Sequence, residues 1–280
     1  MERLQDAIHR ARLQRNSTAE AAAPDAAPNM AAAGAATARL PGSGGWAALQ
    51  PLVRTKTPSR RRFMPATEGG PQAAPFDMLR TRLTQTAPAQ GWKRIAVVSA
   101  QAGAGKSTIT ANLAFALSRQ DDLRTIALDL DLRRPHLAQT IGAELPENGM
   151  EEVLRGQVPF AQQARCLNGN LAFGLNAKTA HRTSELLQSQ QTADTLSRIE
   201  AEFAPNFLLV DLPPVFGSDD TLGFLRQVDA ALIVAEAEKT PIKQIDTVEK
   251  QVAEVTNVLG IVLNKCRYDE SVYGYSYGYY

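Results

Sequence analysis

Tyrosine is missing from the first 267 residues of this 280-residue chain. All six tyrosines lie in the last thirteen residues, YDESVYGYSYGYY. A bias this strong marks the tail as a specialised segment, because random placement would spread the phenols along the chain. Taken alone, the tail permits three uses: an adhesive strand, a platform that stacks on single-stranded nucleic acid, and a set of phosphate acceptors.

Cysteine is scarce as well, since Cys166 and Cys266 are the only two and neither belongs to a CxxC motif. This count excludes a disulfide framework, and the lack of a neighbouring histidine cluster disfavours a metal site built on thiols. No apolar run approaches the roughly 18 residues that span a bilayer. The start, MERLQDAIHRARLQRN, has no apolar core of a secretory signal. These absences predict a cytoplasmic protein.

The formal net charge of +1 conceals two regions of opposite sign. Residues 1–65 contain ten Lys and Arg against four Asp and Glu, whereas residues 66–280 contain twenty against twenty-five. A balance that changes sign along the chain is not typical of a uniformly basic nucleic-acid binder. We therefore expect no nucleic-acid partner.

The N-terminal quarter has a composition that predicts no packed core. Residues 1–16 place Leu4, Ile8 and Ala11 at helical spacing, which is typical either of a frayed amphipathic end or of a docking segment. Residues 17–72 are rich in Ala, Pro, Gly and Ser and are predicted to be a disordered linker. The three arginines at 60–62 are either a solvated charge run or a peripheral contact with anionic lipid at the inner face of the membrane.

From about residue 75, short apolar runs alternate with helical patterns. Unbroken apolar runs are typical of strands buried on both faces of a parallel sheet. Such strands are predicted at 94–100, 125–131, 170–176, 207–213, 230–236 and 260–265. Helices are predicted at 106–119, at 184–203 with Ser184 as cap, and at 240–255 with Thr240 as cap. The alternation predicts an α/β fold, a doubly wound and mostly parallel sheet with helices on both faces.

The first predicted strand runs into SAQAGAGKST, where the first long helix begins. A glycine-rich turn at a helix N-terminus directs backbone amides towards a polyphosphate, as in the P-loop NTPases. Lys106 is expected to reach the phosphates and Ser107 to ligate Mg²⁺. Ala100 replaces the first glycine of the strict pattern, and the competing interpretation is a glycine-rich turn with an incidental lysine. The candidate nucleotide-binding residues of this loop are Gly103, Ala104, Gly105, Lys106, Ser107 and Thr108.

Carboxylates follow two further predicted strands. Asp129 and Asp131 end the second strand, and Asp211 ends the fourth after four apolar residues, in the manner of a Walker B acid. The carboxyl ends of strands in an open α/β sheet are where ligands bind. Each aspartate taken alone could be an ordinary strand-end cap, but three of them beside GKST predict a Mg²⁺ site.

Four segments and the tail together resemble the bacterial tyrosine kinases of capsule and exopolysaccharide synthesis. The segments are SAQAGAGKSTITANLAFAL, ALDLDLRRPHL, LLVDLPPVFGSDD and GIVLNK. The resemblance covers about residues 74–280. It implies a P-loop tyrosine kinase domain at 73–267, a flexible tyrosine-rich tail at 268–280, and ATP and Mg²⁺ as cofactors.

The resemblance also implies roles for individual residues. It makes Asp129 the candidate base and places Asn264 and Lys265 near the adenine. The implied catalytic residues are Lys106, Asp129, Asp131 and Asp211. The implied metal ligands are Ser107, Asp129, Asp131 and Asp211. The implied phosphate acceptors, presented by a neighbouring copy, are Tyr268, Tyr273, Tyr275, Tyr277, Tyr279 and Tyr280.

Two departures from the family pattern affect the expected partners. The family uses a Glu and two Arg at three-residue spacing for ring assembly, and these positions read Ala74, Asp77 and Arg80 here. Self-association is expected, but the usual ring contacts are mostly missing. The membrane activator of such kinases is not fused to this sequence, so a separate membrane-embedded polysaccharide co-polymerase is implied.

Two rival functions stay open at this point. A partitioning or positioning ATPase of the deviant Walker type shares the fold, but it carries a signature lysine where Gln101 stands here. A non-catalytic scaffold that associates through its tail has no need of GKST and three aspartates.

Overall fold

The computed structural model describes residues 43–55 and 64–266. Within them, eight strands form one sheet. The strands are β1 Gln50–Pro51, β2 Arg94–Ser99, β3 Thr125–Asp129, β4 Arg165–Leu167, β5 Leu171–Gly174, β6 Phe207–Asp211, β7 Ala230–Glu236 and β8 Asn257–Asn264. The six apolar runs correspond to β2, β3 and β5 to β8, with ends shifted by a few residues. The short strands β1 and β4 were not predicted.

The sheet has the strand order β1-β4-β5-β3-β6-β2-β7-β8. Every neighbouring pair is parallel except β4 with β5. The chain passes from β2 to β3 and later inserts β6 between them, so the carboxyl ends of these three strands lie side by side. The mostly parallel P-loop NTPase architecture expected from the sequence is confirmed.

Helices cover both faces of the sheet. They are α1 Ser43–Ala47, α2 Ala74–Gln90, α3 Lys106–Ser118, α4 Leu137–Ile141, α5 Met150–Leu154, α6 Phe160–Gln163, α7 Thr183–Leu187, α8 Gln190–Phe203, α9 Asp220–Phe224 and α10 Ile242–Ala253. Helices α2, α3 and α4 contribute to the core on one face, and the core on the other face contains α8 and α10. Along β3 the buried residues alternate between the two cores, Ile126 on one side and Ala127 on the other. This alternation explains why the strands read as unbroken apolar runs.

The predicted linker is wrong for residues 43–55 and 64–72, which pack against the sheet domain. Trp46 is 4% exposed, and its indole N–H donates to the Phe203 carbonyl at 2.7 Å. The amide of Ala66, also buried, donates to the Asn112 side chain. A single tryptophan buries enough apolar area to hold a segment whose overall composition is linker-like. The rest of 17–72, the helix expected at 1–16 and the tail at 268–280 lie outside the described residues.

Two predicted helix caps are also wrong. The helix expected over 184–203 is divided into α7 and α8, and the cap of α8 is Ser189, whose hydroxyl accepts from the Thr192 amide. Ser184 lies inside α7 and uses its hydroxyl in a tertiary contact. Thr240 lies ahead of α10, where its hydroxyl accepts from the amide of Glu236. In both cases a serine or threonine was available to cap but bonds elsewhere.

Candidate active site

The glycine-rich loop connects β2 to α3 as the sequence predicted. Gly103 and Gly105 have φ of +87° and +97°, values that favour glycine, and α3 begins directly at Lys106. The turn places the first turn of α3, with its unpaired amides, at the carboxyl edge of the sheet. This is the arrangement that binds phosphate at a helix N-terminus.

Lys106 is the cation that the glycine-rich loop contributes to the site. It is only 7% exposed, although it is a lysine at the first position of a helix. Its charge lowers the pKa of both Asp131 and Asp211, so the ammonium group is electrostatically coupled to the two acids. A buried lysine facing two carboxylates is positioned to bind an anion that approaches from the open side of the site.

The acids of β3 and β6 are directly adjacent. Asp129 and Asp211 pair in register across the two parallel strands, and both are fully buried. Burial raises the pKa of Asp211 to about 6, even though Lys106 and the nearby Ser107 hydroxyl lower it. Burial and the neighbouring Asp211 raise the pKa of Asp129 well above its usual value. Two buried acids side by side are a costly arrangement that a bound cation would relieve.

The oxygens of these acids differ in their partners. Asp129 Oδ2 accepts from the amides of His136 and Leu137, at 3.1 and 3.0 Å. Asp129 Oδ1 and both oxygens of Asp211 have no hydrogen bond of ordinary geometry to any described residue. These partnerless oxygens suit Mg²⁺, which prefers oxygen ligands.

Within the described residues, no three acidic, histidine or cysteine side chains converge closely enough to hold a metal by themselves. Mg²⁺ bound by one or two carboxylates, a hydroxyl and substrate phosphates needs no such cluster. The residues therefore fit a metal that arrives with a nucleotide better than a preformed metal centre.

Asp131 occupies a different position from Asp129. It lies beyond the end of β3, its Oδ1 accepts from the amide of Arg134 at 3.1 Å, and it lines the cleft. Burial raises its pKa, while Lys106 and the Arg134 amide lower it. Because side chains alternate along a strand, the sequence predicted that Asp129 and Asp131 would point to the same side. However, β3 ends at Asp129, and only Asp131 lines the open cleft.

The cleft above these groups has a volume of about 670 Å³. Its floor is the glycine-rich loop with the start of α3, and its walls come from the segments after β3, β6 and β8. The lining residues that the sequence had predicted as functional are Gly103, Gly105, Lys106, Ser107, Thr108, Asp131 and Lys265.

Asn264 and Lys265 contact the loop itself. The Asn264 side-chain amide donates to the Ala104 carbonyl at 2.8 Å, and Lys265 Nζ donates to the Gly103 carbonyl at 2.6 Å. Lys265 also pairs with Glu236 at the end of β7, at 3.1 Å. The role near an adenine that the resemblance implied is not tested by these contacts.

Sequence reasoning missed a buried cluster that holds the segment after Asp131. Arg133 forms a two-pronged ion pair with the fully buried Asp220, at 2.8 and 3.0 Å. The hydroxyl groups of Thr183 and Ser184 donate to the same carboxylate. The sequence does contain an acidic pair, in VFGSDD, that could have indicated this cluster. It was missed because only acids at the ends of strands were considered, and Asp220 begins a helix.

The helix expected to mediate assembly makes contacts within the chain. Asp77 of α2 forms ion pairs with Arg80 and with Arg119, the residue that follows α3. The Arg80 guanidinium also donates to the Ala116 carbonyl. Asp77 and Arg80 therefore fasten α2 to α3.

A family model described as ParA, NUBPL iron-transfer P-loop NTPase, matches residues 92–276. The chain is 31% identical over 181 residues to the succinoglycan biosynthesis transport protein ExoP of Rhizobium meliloti, covering 63% of this chain and 22% of ExoP. It is 28% identical over 193 residues to the putative tyrosine-protein kinase CapB of Staphylococcus aureus, covering 66% of this chain and 81% of CapB. For the tyrosine-protein kinase CpsD of Streptococcus pneumoniae the identity is 26% over 184 residues, covering 65% and 80%.

Solved structures show the same fold. The chimerical protein CapA2B2 superposes with a TM-score of 0.66 at 24% identity, covering 72% of this chain and 89% of that one. The kinase domain of the Escherichia coli tyrosine kinase ETK superposes with a TM-score of 0.66 at 20% identity, and the match covers 83% of this chain and 93% of the ETK chain. The septum site-determining protein MinD of Pyrococcus horikoshii, complexed with Mg-ADP, gives 0.53 at 21% identity, covering 64% and 72%.

The loop, the sheet order and a family match over more than half of the chain define a P-loop NTPase of the ParA class. Within that class, the chain belongs to the bacterial tyrosine kinase family of capsule and exopolysaccharide synthesis, as its resemblance in sequence had indicated. The match spans about a quarter of the length of ExoP and most of CapB. Among residues 43–55 and 64–266, no helix is both long and apolar enough to cross a bilayer.

Proposed function

We propose that this chain is an ATP- and Mg²⁺-dependent protein-tyrosine kinase that phosphorylates the tyrosines of its own C-terminal tail, with the acceptor supplied by a neighbouring copy. The observation that supports this most is the cleft lined by the glycine-rich loop, Lys106 and Asp131, together with the buried pair Asp129 and Asp211 at the ends of β3 and β6. The tail places six phenols on the same chain as this cleft.

The loop and the strand-end acids would divide the work of holding Mg²⁺·ATP. Amides at the start of α3 would bind phosphate oxygens, and Ser107 and Asp211 would hold the ion directly or through water. Bound Mg²⁺ neutralises charge on the phosphates during transfer. The Mg-ADP complex of the structurally similar MinD supports a nucleotide in this place.

Lys106 would stabilise the negative charge on the transferred phosphoryl group. Its burial matters because a charge interaction is stronger where water is excluded. Lys106 and Asp131 line the same cleft, so the lysine would meet the phosphates beside the acid that faces them.

Tyrosine has an ordinary pKa of about 10, so its hydroxyl needs a proton acceptor in the transition state. The phenolic oxygen would form a bond to the γ-phosphorus while the bond to the bridging oxygen breaks and ADP leaves with that electron pair. We assign the proton to Asp131 instead of Asp129, because Asp131 lines the cleft and Asp129 is enclosed behind it.

Phosphorylation would change the charge of the tail strongly. Each phosphate adds about −1.5 to −2 charges at neutral pH, next to Asp269 and Glu270. A tail modified at several sites repels similar tails, which offers a switch between associated and dispersed copies. We propose that this switch acts at the inner face of the membrane with a separate co-polymerase as activator, because the relatives include a polysaccharide transport protein and a CapA–CapB chimera has the same fold.

A partitioning or positioning ATPase is the second candidate, because the matching family model is named ParA and MinD shares the fold. Its signature lysine is replaced by Gln101, whose side chain donates to Gln244 on α10. Hydrolysis of ATP stimulated by DNA, with no phosphotyrosine formed, would favour this candidate.

The kinase proposal is tested by incubating the full-length protein with ATP, Mg²⁺ and membranes that contain the activator, then mapping phosphate by mass spectrometry. We expect phosphate within residues 268–280 and a loss of at least about 100-fold in Lys106→Met. The exposed Lys239→Met, outside the cleft, is the matched control and keeps its phosphorylation. Phosphate absent from the tail, or unaffected by Lys106→Met, would contradict the proposal.

A further inference from the structure

Two consecutive carbonyl groups of the glycine-rich loop are bonded to two consecutive side chains at the end of β8. The Gly103 carbonyl accepts from Lys265 Nζ at 2.6 Å and the Ala104 carbonyl accepts from Asn264 Nδ2 at 2.8 Å. Neither the Ala104 amide nor the Gly105 amide, each one position further on, donates a hydrogen bond of ordinary geometry to a described backbone carbonyl. The loop is thus held by its carbonyl side and open on its amide side.

The planar peptide bond makes the orientation of each amide depend on the carbonyl group that precedes it. In a trans peptide, the carbonyl of one residue and the N–H of the next lie in one plane and point in opposite directions. Holding the Gly103 carbonyl therefore orients the Ala104 amide, and holding the Ala104 carbonyl orients the Gly105 amide. The glycines at 103 and 105 make rotation of these two peptide planes easy, so the loop needs an external hold to keep one orientation.

Lys265 is placed for this contact at some conformational cost. It has φ of +59°, in the left-handed region that side chains other than glycine rarely adopt. Glu236 at the end of β7 holds its ammonium group at 3.1 Å. A Cβ at position 105 would collide with the Asn264 side chain, so loop and strand end are closely fitted.

We propose that Lys265 is a positioning residue that acts together with Asn264 as a clamp, holding the amides of Ala104 and Gly105 in the orientation that binds nucleotide phosphates. This inference rests on the proposed function, because it concerns the same nucleotide site. It differs from a contact with adenine, since the clamp acts on phosphate binding through the loop. The clamp also attaches the loop to the point from which the tail departs, as Tyr268 follows three residues later.

The test compares Lys265→Met with Lys239→Met in the full-length protein. Both lysines pair with the same oxygen of Glu236, at 3.1 and 2.7 Å, but among them only Lys265 reaches the loop. Affinity is measured for fluorescently labelled ADP with Mg²⁺, and for tripolyphosphate as a competitor that has no base. Because the Lys265 side chain is 48% exposed, the unfolding midpoint without ligand should stay at the wild-type value.

We expect Lys265→Met to weaken the binding of ADP and of tripolyphosphate in parallel, by about five- to tenfold, as for the loss of one hydrogen bond of ordinary strength. Lys239→Met should change neither by more than about twofold, since its ion pair is on the surface. Lys265→Arg keeps a donor and a charge and should restore most of the affinity.

Two results would overturn the clamp while leaving the kinase proposal intact. Equal affinities in the two methionine variants would show that the contact with the loop has no effect. A lower affinity for ADP with an unchanged affinity for tripolyphosphate would show that Lys265 contacts the base. A wild-type protein that binds neither ligand would overturn both proposals.

Discussion

Asp229 and Asp211 lie at opposite ends of the strands of the sheet and differ in their hydrogen bonds. At the amino-terminal edge, Asp229 accepts from the amides of Lys93 and Arg94 at 2.7 and 2.8 Å, and Arg94 forms a two-pronged pair with Glu200. At the carboxyl edge, neither oxygen of Asp211 has a hydrogen bond of ordinary geometry to a described residue, and burial raises its pKa to about 6. Buried acids with hydrogen-bond partners stabilise the fold, whereas buried acids without them cost stability while no ligand is bound.

The largest expected effect on activity comes from a substitution at the carboxyl edge. Asp211→Asn should lower tail phosphorylation by about 1,000-fold, because a metal-binding charge is lost. The same change should raise the unfolding midpoint of the free protein, since it removes a buried carboxylate whose desolvation outweighs the nearby Lys106 and Ser107. Tail phosphate by mass spectrometry and thermal unfolding measure the two effects.

The matched control is Asp229→Asn at the opposite edge. It should keep its activity and lose about 1 kcal/mol of stability, as for one weakened hydrogen-bonded acceptor. If Asp211→Asn and Asp229→Asn changed the stability of the free protein in the same direction, the distinction between the two ends of the strands would be wrong.

The next effect distinguishes two acids of the same edge. Asp131→Asn should lower the rate of tail phosphorylation by about 100-fold while leaving ADP affinity within a few-fold, because it removes a proton acceptor that faces the cleft. Asp129→Asn should mainly weaken Mg²⁺-dependent ADP binding. Rates measured at saturating ATP, with ADP affinities alongside, separate the two roles. A slower rate in Asp129→Asn and weaker ADP binding in Asp131→Asn would instead make Asp129 the proton acceptor, as the resemblance in sequence implied.

The smallest effect concerns Asp220, which holds Arg133 beside the cleft. Burial raises the pKa of Asp220, but Arg133 and the hydroxyls of Ser184 and Thr183 outweigh it and leave the pKa below the ordinary value. The folded state thus binds the proton less readily than the unfolded chain, so stability is present above about pH 4 and falls as the pH drops below that.

Asp220→Asn should therefore cost about 2 kcal/mol at pH 7 and flatten the loss of stability below pH 4. Chemical denaturation followed from pH 3 to 7 measures both. Asp246→Asn is the control, since Asp246 is an exposed acid of α10 with no ion pair to any described residue. An unchanged pH profile in Asp220→Asn would assign the acid stability to other groups.

Several features were readable from local pattern. The apolar runs predicted β2, β3 and β5 to β8 because strands buried on both faces tolerate few polar residues. The glycines and lysine of the loop were recognisable because few other turns need left-handed glycines directly before a lysine at a helix start. Local chemistry fails where a side chain has two uses, as with Ser184, which was expected to cap a helix and instead bonds to Asp219 and Asp220.

The composition and spacing of this chain were enough to indicate the class of fold, the phosphate-binding loop and three acids at strand ends, because each depends on neighbours along the chain. Folding alone places Asp129 beside Asp211, anchors Trp46 beneath Phe203 and brings Lys265 onto the Gly103 carbonyl. These pairs are 82, 157 and 162 residues apart. Contacts over such separations follow from strand order and register, which local periodicity does not specify.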